Sequence, residues 1–136
     1  MDMTDEELIK TVVGCAYDVR SELMPGYLEI VYRNAMVCEL HDHNLRCETE
    51  FPINIYYKGH CVGEYRADIV VERRLIIELK AVNTLLPIHE MQLVNYLTAT
   101  GIDNGILINF GGERMEVRRK FRTYKPSHSS LDTKTH

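Results

Sequence analysis

The sequence predicts an α/β domain built on a mixed sheet flanked by helices, and three observations predict it. Helical periodicity occupies the chain from Thr4 to about His41. The middle carries two apolar runs, Ile69–Val71 and Leu75–Leu79, around a charged turn. Their apolar residues fall at both parities, which marks strands covered on both faces. A further helical segment then separates the second run from another buried-strand pattern, Gly105–Phe110. That is a β-α-β unit, whose two strands run parallel. The full order is α-α-β-β-β-α-β-β, with no internal repeat and no linker.

Each element has its own local reason. Thr4 can cap the first helix, and Glu7 sits three residues on, at the capping-box position. Leu8, Val12, Cys15, Ala16, Val19 and Leu23 form its apolar stripe, and Met24-Pro25-Gly26 stops it. A second helix from about Tyr27 to His41 carries Leu28, Val31, Tyr32, Ala35 and Leu40. Phe51 to Tyr57 alternates like a strand, with Lys58-Gly59-His60 as its turn. Cys61–Val71 and Leu75–Val82 make the central hairpin. Pro87 suits the first turn of a third helix ending near Thr100, before Gly101. Met115 to Phe121 reads as a last strand.

The bulk numbers fit one domain. The chain has 136 residues, 45% hydrophobic and 26% charged, enough for a real core. Residues 1–125 read as that domain, and the polar stretch 126–136 as a disordered tail. No apolar run approaches the roughly 20 residues of a membrane helix. The start, Met1 to Leu8, is acidic where a signal peptide is basic and then apolar. A cytoplasmic protein without membrane association is the expectation. Cys15, Cys38, Cys47 and Cys61 form no C-x-x-C pair, so they read as small core hydrophobes rather than zinc ligands. The formal net charge is −4, but Arg114, Arg118, Arg119, Lys120, Arg122 and Lys125 crowd the C-terminal part. Arg118, Arg119, Lys120 and Arg122 are therefore candidates for holding nucleic-acid phosphates. The solvated face of a last strand is the alternative.

The chemistry concentrates in the central hairpin. With its turn centred on Arg73, Asp68 lies five residues before and Glu78 five after. Directly opposed residues of an antiparallel pair have Cβ atoms about 4.5–5.5 Å apart. Lys80 is two positions beyond Glu78 and projects from the same face. Two acids and an amine converging in this way suit a hard, oxygen-ligated cation such as Mg²⁺. A surface hairpin with a Glu78–Lys80 pair is the plainer alternative. The second helix adds Glu29 near its N-terminus, where a carboxylate is favoured. The third adds His89 and Gln92 on one face; the histidine reads as structural. No Gly-rich phosphate loop, nucleophile elbow or dinucleotide fingerprint is present.

Six blocks stand in order: Gly26, Glu29 and Tyr32 in G-x-x-E-x-x-Y; Phe51-Pro52-Ile53; Gly63 to Asp68; Ile77 to Lys80; His89 to Leu97; and Gly105 to Gly111. Together, over about Glu7 to Phe121, they resemble the GxxExxY family of the PD-(D/E)XK nuclease-like superfamily. The resemblance implies a restriction-endonuclease-like α-β-β-β-α-β core, here with an extra N-terminal helix. It implies Asp68 and Glu78 as paired metal-binding acids, with Glu29 adding to the metal site. Lys80 would orient or activate the attacking water, and Gln92 would be the polar residue of the helix after the catalytic strand. The proline of the superfamily's name is Ala67 here, at a position that varies widely. The implied activity is phosphodiester hydrolysis on DNA with Mg²⁺ or Mn²⁺. The acidic charge and small size also fit a non-catalytic nucleic-acid or protein-binding module, with recognition supplied by a homodimer or a partner protein. Hydrolysis of a small phosphorylated molecule is a third reading.

Overall fold

Local signals set the helix ends. In the computed structural model, which describes residues 2–123, the Thr4 hydroxyl accepts from Glu7 N–H (3.1 Å) and the Glu7 carboxylate accepts from Thr4 N–H (2.8 Å). That closed capping box starts α1, Asp5–Glu22. The tail 126–136 and Lys125 lie outside the described residues.

The second helix, α2, spans Glu29–Asp42 and so begins two residues later than expected. The cause is local: Gly26 takes φ +125° and Leu28 is extended, so the chain turns before it coils. Tyr32 fixes this entry. Its hydroxyl donates to Met24 O (2.6 Å), and its ring stacks on Phe110 with centroids 4.7 Å apart. The glutamate that opens α2 is therefore held by the tyrosine one turn later.

The first strand, β1, spans Cys47–Tyr57 and starts four residues before Phe51. Its polar opening pairs in register with the next strand, Cys47 with Val71 and Thr49 with Ile69. Arg73 anchors it through a fork to Glu48, at 2.7 and 3.0 Å. Then come β2 (His60–Val71), β3 (Leu75–Lys80), α3 (Pro87–Thr100), β4 (Asn104–Asn109) and β5 (Glu116–Phe121). Gly101 closes α3 in the left-handed conformation, φ +77°. The β5 strand is the expected last one.

The sheet runs β1-β2-β3-β4-β5. The β3–β4 pair, joined through α3, is parallel and the other pairs are antiparallel. This is a mixed sheet with helices on both faces, the restriction-endonuclease-like arrangement. Helices α1 and α2 cover one face through Leu8, Val12, Tyr32, Met36 and Ile77. Helix α3 covers the other through Leu93, Tyr96, Leu97, Val70 and Ile76. Alternation along β3 deals its side chains to the two cores in turn. No helix is long and apolar enough to cross a membrane among the described residues.

β3 ends at Lys80 rather than Val82 because Asn109 takes over the next segment. The fully buried Asn109 accepts from Val82 N–H (3.0 Å) and Gly111 N–H (3.0 Å) and donates to Val82 O (2.8 Å). Gly111 passes so close that a Cβ there would lie 2.4 Å from Val82 N. Together they clamp the chain just after Lys80. Asn109→Ala should cost about 2–4 kcal/mol, since three bonds are lost and buried groups stay unpaired. Urea unfolding measures it; a cost near zero would show that the clamp contributes nothing.

Candidate active site

The hairpin register places the acids. Val71 pairs with Leu75, Val70 with Ile76 and Ile69 with Ile77, so Asp68 comes opposite Glu78. There the backbone ladder gives way to side chains. Asp68 N–H donates to Glu78 Oε2 (2.7 Å) and Leu79 N–H donates to Asp68 Oδ2 (2.8 Å). Each carboxylate thus replaces a strand carbonyl as acceptor. The neighbouring strand is irregular at the same level: Glu50 takes φ +50°, between the pairs Thr49–Ile69 and Phe51–Ala67. Alternation resets here too. Ala67 and Val70, three apart, both enter the core under α3, whereas Ile69 and Val71 enter the other.

The electrostatics follow from burial. Glu78 is 5% exposed. Desolvation, and then Asp68, push its carboxyl up to about 8, against the pull of Asp68 N–H and Lys80. Burial also raises Asp68, opposed by Leu79 N–H, Lys80 and Arg33. Burial raises Glu29, with Lys80 lowering it and Asp68 raising it. All three acids therefore lie within electrostatic reach of Lys80. A cavity of ≈ 180 Å³ opens between Glu29, Ile30, Arg33, Asp68 and Leu79.

Residues 6–120 match the family model described as PD-(D/E)XK nuclease superfamily. The chain belongs to the PD-(D/E)XK nuclease superfamily. Among solved structures it resembles SSO0001, at 24% identity and TM-score 0.54, over 70% of this chain and 50% of that one. It also resembles an alkaline exonuclease (LHK-Exo) from Laribacter hongkongensis, at 11% identity and TM-score 0.52, over 98% of this chain and 75% of that one. At these identities the likeness concerns the fold. The chain spans half the length of the SSO0001 structure. No curated protein matches it.

In this nuclease-superfamily core the other expected residues take different places. Gln92 lies in a groove between α3 and the β1–β2 hairpin, one turn before Tyr96. His89 is structural, its Nδ1 accepting from Leu86 N–H at 3.1 Å. The β5 cations form no single patch. Arg118 and Lys120 bind Glu90 on α3, each at 2.7 Å, while Arg119 turns to Glu6 of α1 (2.7 Å) and Arg122 to Asp103 (2.9 Å).

Two residues escaped the sequence reading. Arg33 lines the cavity beside Asp68, 3.5 Å from Glu50, and its buried Nε has no partner among the described residues. Its signal was the i,i+4 spacing from Glu29. Tyr96 read as core, yet Glu78 and Asp68 act on its hydroxyl, which burial chiefly pushes up to about 12.

The cysteines depart from expectation. Cys38 and Cys61 are exposed, Cys47 is half-buried and Cys15 alone is buried. Cys15, Glu39 and His43 bring ligand atoms within 4.8 Å of one another. This cluster joins α1 to the C-terminal end of α2, and its thiol suits a soft cation rather than Mg²⁺.

The raised Glu78 carboxyl sets a pH dependence. Between the ordinary value of 4.5 and about 8, the native state keeps a proton that the unfolded chain has already lost. This contribution is fully present below about 4.5 and is lost as pH rises through about 8. In metal-free buffer, wild type should therefore lose Tm relative to Glu78→Gln between about pH 5 and about pH 9, by several degrees. Parallel Tm curves would show that Glu78 is ionised at neutral pH in the native protein.

Proposed function

We propose that this protein is a divalent-metal-dependent nuclease that hydrolyses phosphodiester bonds of DNA, and that it belongs to the GxxExxY branch of its superfamily. The observation that carries the reading is the reciprocal bonding of Asp68 and Glu78, with Lys80 and Glu29 at the same centre. Each acid commits one oxygen to a backbone N–H, which fixes its rotamer. Asp68 Oδ1 and Glu78 Oε1 remain as ligand atoms. Hard carboxylate oxygens on two strands, with a third acid on α2, fit Mg²⁺ or Mn²⁺. A cation held there supplies Lewis acidity toward a phosphoryl oxygen and makes water more acidic.

The chain's own residues do the rest. Asp68, Glu78 and Glu29 would hold the cation, whose charge would offset the burial that raises their carboxyls. Lys80 holds the attacking water and offsets negative charge as it develops. Arg33 lines the cavity beside Asp68, and its guanidinium is suited to a phosphoryl oxygen there. Gln92 contacts the substrate from α3.

The test is cleavage of a labelled DNA panel with Mg²⁺ or Mn²⁺, joined to calorimetry of the cation. Asp68→Ala should lose both cleavage and cation binding. Lys80→Ala should keep binding and lose about 10²–10³ in rate, as when one charge-stabilising donor is removed. Cleavage undiminished in both variants would place the catalyst elsewhere.

Arg118, Arg119, Lys120 and Arg122 enter this reading as phosphate ligands that exchange their acids for DNA. Each pair keeps at least one partner partly open to solvent, where ion pairs are weak and screened, so exchange is feasible. Charge reversal at Arg118 and Arg119 should weaken DNA binding and lower the salt slope by about 0.9 for each phosphate no longer neutralised. An unchanged slope would remove Arg118 and Arg119 from the DNA path.

A further inference from the structure

Beside the acids lies a groove whose surface differs in kind from theirs. It runs between α3 and the β1–β2 hairpin, with a volume of ≈ 740 Å³, within the range of about 300–1,000 Å³ found for small-ligand sites. No Asp, Glu, Lys, Arg or His lines it. Its walls are aromatic and apolar, and Asn54, Gln92 and Asn95 supply amides. Five lining residues, Tyr56, Val62, Tyr65, Ile88 and Met91, are large hydrophobics left exposed. Such a concentration marks a binding surface.

Tyr96 links the groove to the neighbourhood of the acids: it lines the groove and packs in the same core as Ala67, which adjoins Asp68. Tyr65 and Tyr96 meet on its floor, ring centroids 5.8 Å apart at 47°. Tyr96 is in turn within electrostatic reach of Glu78 and Asp68. Gln92 stands one turn before Tyr96 on α3 and lines the same groove. A strand with its phosphodiester at the acids would therefore lay neighbouring nucleotides along Tyr96 and Tyr65.

The lining decides which part of a nucleic acid fits. Phosphates of a duplex or of a single strand need cations along their track, which this groove lacks, so it suits the bases of a strand and not its backbone. An unpaired base presents a flat π face and a donor–acceptor edge. Aromatic side chains hold the face whatever the sequence, and amides meet the edge. We propose that this groove binds unpaired nucleobases of the strand being cut, so that single-stranded DNA or frayed ends are the substrate class. This rests on the nuclease reading above.

The experiment uses the full chain carrying Asp68→Asn, so that bound strands stay intact, with Mg²⁺ present. Fluorescence anisotropy compares a labelled single-stranded oligothymidylate with a blunt duplex of equal length. The single strand should bind more tightly. Tyr65→Ala and Met91→Ala, both at exposed positions, should each weaken it about tenfold or more, as removal of a base stack does. Equal binding of both probes, or no effect of either substitution, overturns the inference. So does a second copy of the chain seated in the groove, seen as a dimer in sedimentation that Tyr65→Ala dissolves. The two readings fail separately. If wild type cuts duplex and Tyr65→Ala cuts it equally, only the groove assignment falls. If the single strand binds through Tyr65 and wild type cuts nothing with Mn²⁺, only the nuclease reading falls.

Discussion

The structure turns on two hydrogen bonds in which side chains take the place of a strand. At Asp68 and Glu78 the β2–β3 ladder does not simply end; each acid accepts an N–H from the opposite strand's segment. This lets the strands part without orphaning buried amides, which would cost about 1–3 kcal/mol each. It also locks two carboxylates that would otherwise repel. The arrangement is possible because the Arg73 turn sets the register, and a slip of one residue would send both acids to the opposite face. On the proposed reading, binding chemistry and backbone satisfaction are the same interaction.

Such a pair is expensive to bury, and the surroundings show how it is kept. Burial raises all three acids at the centre, while Lys80 and Arg33 oppose it with positive charge. Just beyond, Asn109 and Gly111 fix the backbone that carries Lys80. On the other side the Tyr32–Phe110 stack fixes the start of α2. Rigid elements thus approach a centre where burial disfavours the charged carboxylates. Functional sites commonly depart from the rules of stability in this way.

Much of this was legible because it is local. The Thr4 capping box, Pro87 and Gly101 act within a few residues of themselves, and short both-parity apolar runs on either side of a charged turn suit covered strands. The Asp68–Glu78 opposition needed only symmetry about Arg73. What was hidden depended on packing between distant segments. The early start of β1 rests on Glu48 reaching Arg73, and the late start of α2 on Tyr32 reaching Met24. Arg33 and Tyr96 gained their places from elements that meet only in three dimensions. The basic C-terminal run misled as a single cluster, because strand alternation divides its members between two faces.

The two cores lie on opposite faces of the sheet and carry different burdens. The α1–α2 side fixes Glu29 and the sheet's outer geometry, while the α3 side forms the groove wall. Changes in Tyr56, Val62, Ile88 or Met91 alter that wall without entering either interior, since all four are exposed. On the nuclease reading, what is bound could therefore change while the acids stay as they are. Specificity would then be tunable one surface residue at a time, apart from the chemistry.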